Sequence, residues 1–129
     1  MNFQLQNTIL IFFGCGIGGL LRYWVSNSVY WILGRGFPYG TLIVNVSGCL
    51  LAGFLVTFII ERFDGAGSNL RALLLIGFLG GYTTFSTFSL ETLSLLTTGR
   101  WIAGGMNIIL SAILCICAAW MGAILGKII

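Results

Sequence analysis

Long apolar runs, each interrupted by only a few polar residues, dominate the chain. A helix needs roughly 20 residues to cross the hydrocarbon core of a bilayer. Four runs reach that length, approximately Thr8–Leu33, Gly40–Ile60, Leu73–Thr97 and Ile102–Ile128. The connections between them are short and leave no room for a second domain. The pattern therefore predicts one all-α domain over residues 1–129, built from four transmembrane helices. Phe37-Pro38-Tyr39-Gly40 reads as a turn entering the second helix, because proline fixes φ and suits a helix start. The segment from Glu61 to Arg71, with Arg62, Asp64, Gly65, Gly67 and Ser68, reads as an ordinary solvated loop.

The polar positions inside these runs carry the chemistry. Gly80-Gly81-Tyr82-Thr83-Thr84-Phe85-Ser86-Thr87-Phe88-Ser89 places two helix-weakening glycines ahead of a series of hydroxyls and two phenylalanines at i, i+3. Irregular backbone at membrane depth is tolerated only where it is buried in protein or lines a polar cavity. The third helix is thus expected to break near Gly80–Thr83, and the stretch reads as the wall of a pore. In the second span, Thr41, Asn45, Gly48 and Ala52 form a polar and small stripe. In the fourth, Asn107, Ser111 and Cys115 recur every four residues. Asn45 is either interhelical glue or a donor aimed into a pore. Gly14 with Gly18, and Gly122 with Gly126, are GxxxG pairs that read as close helix contacts.

Composition narrows the class. With 58% hydrophobic and 7% charged residues, the chain cannot build a water-facing surface, since soluble domains carry about a quarter charged residues. The leader Met1–Gln6 has no basic residue and does not resemble a cleaved signal. Cys15, Cys49, Cys115 and Cys117 all lie within spans and read as small hydrophobes. Histidine is absent, no phosphate-binding Gly-Lys motif occurs, and no nucleophile–base pairing stands out, so neither an enzyme nor a nucleic-acid binder is expected.

Lys/Arg asymmetry sets membrane orientation. Here Arg62, Arg71 and Lys127 fall on one side, against Arg22, Arg35 and Arg100 on the other. This balance allows insertion both ways and makes an antiparallel, dual-topology homodimer available. Arg22 stands inside the first run, where its alternatives are snorkelling, pairing with a carboxylate, or an electropositive vestibule for anions. Glu91 is expected to pair with an arginine.

An anion path suits this inventory. Asn45, Ser111 and the hydroxyls of residues 83–89 offer neutral donors. Phe85 and Phe88 add the positive edges of aromatic rings. Opening the helix near residues 80–83 frees carbonyl oxygens. Two such breaks meeting in an antiparallel dimer would suit a hard cation such as Na⁺, or would bond the Thr83 and Thr84 hydroxyls.

Three stretches carry a resemblance to the Fluc (CrcB) fluoride channels: Gly-Ile-Gly-Gly-Leu-Leu-Arg-Tyr at 16–23, Pro-Tyr-Gly-Thr-Leu-Ile-Val-Asn-Val-Ser-Gly at 38–48, and Gly-Phe-Leu-Gly-Gly-Tyr-Thr-Thr-Phe-Ser-Thr-Phe-Ser at 77–89. The resemblance implies a passive fluoride channel in the bacterial plasma (inner) membrane, acting as an antiparallel homodimer with two pores. It implies pore-facing roles for Phe85, Phe88 and Asn45, and the hydroxyls of Thr84, Ser86 and Thr87 are expected as donors beside them. It further implies a polar track over Asn107, Ser111 and Cys115, of which Asn107 and Cys115 depart from the family's preference for hydroxyls. Arg22 would line the vestibule, and backbone carbonyls of Gly80 and Thr83 from both subunits would hold a structural Na⁺ at the dimer axis. A small dual-topology, proton-coupled multidrug exporter is the alternative. It calls for a carboxylate in the first span, which holds Arg22 and no acid. A non-conducting assembly subunit would leave the hydroxyl-and-phenylalanine run unexplained.

Overall fold

A computed structural model describes residues 2–63 and 67–129. The chain runs through α1 (Phe3–Leu33), α2 (Tyr39–Arg62), a short α3 (Gly67–Leu70), a π-helical stretch (Arg71–Leu79), α4 (Gly80–Tyr82), α5 (Phe85–Thr97) and α6 (Trp101–Ile128). Among the described residues, four segments are long and apolar enough to cross a membrane: α1, α2, residues 67–97 and α6. The protein is thus an all-helical, multi-pass membrane protein. The first segment begins five residues before the apolar run, and the third begins six residues earlier than expected. Asp64 and Gly65, expected in the loop between the second and third spans, lie outside the described residues.

Each boundary has a local cause. Pro38 sits at φ −76° immediately before α2, where its missing N–H costs nothing. Gly99 adopts φ +79°, which lets the Arg100 N–H reach back to the Leu95 carbonyl at 2.8 Å and close the end of α5. Thr83 (φ −81°, ψ 156°) and Thr84 (φ −151°, ψ 116°) are extended between α4 and α5. Thr84 caps α5 by accepting the Thr87 N–H on its hydroxyl at 3.2 Å.

Packing proceeds in two parallel pairs. Gly14 and Gly18 of α1 lie against the backbone of residues 73–82, so a side chain at either position would strike main-chain atoms of Leu73 or Phe78. Gly77 and Gly81 complete that seam from the other side, opposite Gly14 and Cys15. On the second pair, Gly53 of α2 meets the Ala119 carbonyl, and Gly122 and Gly126 of α6 meet the Leu50 and Phe54 carbonyls. Both GxxxG pairs are therefore close helix contacts. Such approach substitutes dispersion contact for the hydrophobic drive that lipid cannot supply. The core is accordingly thin, with Val44 and Ala72 among its few buried apolar side chains.

Candidate functional site

The extended pair Thr83–Thr84 is held open by a side chain from another helix. Asn45 donates through Nδ2 to the Thr84 carbonyl at 3.0 Å and accepts the Thr84 N–H on Oδ1 at 2.8 Å. This two-point clamp engages both backbone polar groups of a residue that has left the helix. It employs one N–H of the Asn45 amide and leaves the second. The surrounding hydroxyls serve the same local end. Thr83 donates to the Leu79 carbonyl at 2.8 Å, Thr84 donates to Thr87 Oγ1 at 3.0 Å, and the exposed Ser86 hydroxyl lies 3.3 Å from Thr84 Oγ1. Ser89 and Thr92 each return a bond to the carbonyl four residues earlier.

Beside the clamp lies a cavity of about 720 Å³, in which α2, the third span and α6 meet. Asn45, Gly80, Thr83, Thr84, Phe85, Phe88, Ser111 and Cys115 all line it, so most of the residues singled out from the sequence converge on one space. Apolar wall is added by Leu75, Leu79, Ile108 and Ile116. The Phe85 and Phe88 ring centroids are 5.4 Å apart and tilted by 44°. Phe85 is 78% exposed on the single chain, so the cavity has no lid on that side.

Thr84 also lines a second, smaller space of about 300 Å³, together with Arg22, Ser26, Asn27, Thr41 and Thr87. Arg22 and Thr87 therefore stand on the other side of the clamp from the phenylalanines. Asn107 joins neither space. It is 1% exposed and donates through Nδ2 to Thr92 Oγ1 at 2.9 Å, tying α6 to α5.

Glu91 meets hydroxyls where an arginine was expected. Tyr30 and Thr41 donate to its Oε1 at 2.8 and 2.9 Å, while Oε2 is buried without a hydrogen-bond partner among the described residues. Arg35 and Arg100 line the same small recess as Glu91, and the Arg35 guanidinium lies 4.9 Å from the centroid of the Tyr30 ring. Tyr30 was missed from the sequence, where a tyrosine near a span end signals only interfacial anchoring.

The resemblance implies a sodium ion on the Gly80 and Thr83 carbonyls, and the residues present fit one. In an unbroken helix the Thr84 N–H would bond the Gly80 carbonyl and the Thr87 N–H would bond that of Thr83. Asn45 takes the first donor and the Thr84 hydroxyl takes the second. Both carbonyl oxygens are thus relieved of their helical donors, and Gly80 is exposed with nothing within 4 Å of where a Cβ would stand.

Comparison with known proteins gives a consistent family. Residues 9–123 match the family described as CrcB-like protein, Camphor Resistance (CrcB). The Fluoride-specific ion channel FluC of Coxiella burnetii (strain Dugway 5J108-111) is 54% identical over 122 residues, 95% of this chain and 98% of that protein. The protein of the same name from Methylococcus capsulatus is 53% identical over 114 residues, which is 88% of this chain and 50% of the relative. A third, from Magnetococcus marinus, is 45% identical over 116 residues, covering 90% of this chain and 94% of its own length.

Proposed function

The chain belongs to the CrcB-like family, and on that premise we propose that it is a fluoride-selective passive channel of the bacterial inner membrane. The observation that carries the reading is the shared cavity of Asn45, Phe85, Phe88 and Ser111. A small, hard anion entering it exchanges water for hydrogen-bond donors and for the positive rims of two aromatic rings. A cation would instead favour the ring faces. The recess of Arg22, Ser26, Asn27 and Thr87 serves as the vestibule, where a half-buried guanidinium raises the local anion concentration. Thr84 borders both spaces, which makes the clamp the threshold between them.

The working unit is an antiparallel homodimer. Phe85 and Gly80 stand exposed beside the cavity, and a second, oppositely inserted copy closes that side. Symmetry then gives two pores. The Gly80 and Thr83 carbonyls of both copies would hold the sodium ion, and a hard cation there would suit those oxygens and help join the subunits. The break itself is maintained within each chain by Asn45 and the Thr84 cap. Asn107 acts by anchoring α6 rather than by touching the ion.

Hydrogen fluoride crosses membranes as the neutral acid and dissociates in a near-neutral cytoplasm. An open anion path lets the trapped ion leave along the membrane potential, worth about 2.3 kcal/mol per charge per 100 mV, without a coupled ion or nucleotide. Liposomes loaded with potassium fluoride and potassium chloride test this directly. The reconstituted protein is expected to release fluoride on addition of a potassium ionophore while chloride stays inside. Chloride release at the fluoride rate defeats the selectivity claim.

A further inference from the structure

Two thiols reach the cavity from different helices and have no part in the path just described. Cys49 of α2 and Cys115 of α6 both line it, and each is partly buried. Their juxtaposition follows from the helix pairing. The two helices run parallel and touch where Gly53 meets the Ala119 carbonyl. One helical turn earlier on each helix stand Cys49 and Cys115, so the register of the pair brings both residues to the same level of the one cavity. Further along the pair, Gly122 against Leu50 and Gly126 against Phe54 leave no slack between the backbones, so the spacing of the thiols is fixed by packing.

Thiols are poor donors to a hard anion but strong ligands for soft metals. We propose that Cys49 and Cys115 form a binding site for a soft, two-coordinate metal ion, with Hg(II) the best match. Binding exchanges two S–H protons for two metal–sulfur bonds: Hg²⁺ and two thiols give a neutral bis-thiolate and two protons released to water. Neutrality matters at membrane depth, where an uncompensated charge is costly. The bis-thiolates of Cu(I) and Ag(I) carry a net negative charge, so these ions bind more weakly here. A mercuric ion seated between the thiols lies among Phe88, Ser111 and Cys115 and obstructs the cavity. That consequence for flux rests on the fluoride-channel reading. The metal site does not.

The experiment uses the full chain with Cys15 and Cys117 replaced (C15S/C117S), mercuric chloride as the probe, and a monothiol competitor. One mercury per subunit is expected to remain bound after the competitor wash. Adding Cys49→Ser or Cys115→Ser alone leaves a single ligand and is expected to weaken retention roughly 100-fold or more, the loss of a chelate. Retention by either single variant equal to that of the pair overturns the site, as does failure of the pair to hold mercury. Fluoride efflux from liposomes is read in parallel and is expected to stop on mercury addition and return with a dithiol. Tightly bound mercury with undiminished efflux upholds the metal site and contradicts the cavity as the ion path.

Discussion

Gly80 and Gly81 are neighbours in sequence and face opposite worlds. A side chain on Gly81 would run into the backbone of Cys15, whereas one on Gly80 would meet nothing within 4 Å. The third span thus has a sealed side, pressed main chain to main chain on α1, and an open side along the cavity with α2 and α6. Both sides are rich in glycine, but the same residue type does different work on each. On the sealed side it permits approach, and packing alone justifies it. On the open side it leaves carbonyl oxygens and a gap that only another copy, an ion or lipid can fill.

The largest effect is expected on the sealed side. Gly81→Leu forces a branched side chain into the Cys15 backbone, and overpacking of this kind costs about 3 kcal/mol or more. Little monodisperse protein should survive size-exclusion chromatography in detergent. Good recovery would show the seam to be looser than described. Next comes the clamp. Asn45→Ala strands the Thr84 N–H, at about 1–3 kcal/mol for an unpaired group, and removes one hydrogen bond to the Thr84 carbonyl. A lowered unfolding temperature in detergent, together with reduced fluoride efflux, is the expected outcome, and an unchanged unfolding temperature would remove Asn45 from its role. The smallest cost to the single chain belongs to Gly80→Leu, whose Cβ would have nothing within 4 Å among the described residues. It should leave the monomer folded while weakening association of two copies, as read by crosslinking across a range of protein-to-lipid ratios. Undisturbed dimers would move the subunit contact elsewhere.

The helices were legible because apolar runs of that length admit few alternatives. Details inside them were less so, for reasons the structure supplies. The glycine pair marked irregular backbone, but Gly80 and Gly81 are helical, and the extended residues are Thr83 and Thr84. Glycine here serves packing on one face and openness on the other, while the hydroxyl at 84 and the distant Asn45 set the position of the turn. Nothing in the apolar run of residues 71–79 announces π-helical geometry. The four-residue spacing of Asn107, Ser111 and Cys115 suggested a single face. Each such step rotates about 40° around a helix, however, so two steps carry Asn107 round to the α5 contact. Glu91 invited an arginine because charge complementarity is the first partner a sequence suggests, yet two hydroxyls from α1 and α2 reach it in the fold. The convergence of Asn45, Phe85, Phe88 and Ser111 could be argued from residue chemistry. That they border one space with Gly80 and Thr83 required the fold.

Fluoride efflux from liposomes carrying equal amounts of folded wild type, Phe85→Leu or Phe88→Leu is the most direct test of the ring-edge account. Leucine keeps the bulk and removes the aromatic quadrupole, an interaction on the order of 1 kcal/mol per ring and thus about fivefold in rate. The expected result is a drop of about that size or more for either variant, with the dimer intact and chloride still retained. Wild-type efflux from either leucine variant would contradict the claim that the ion passes against those rings.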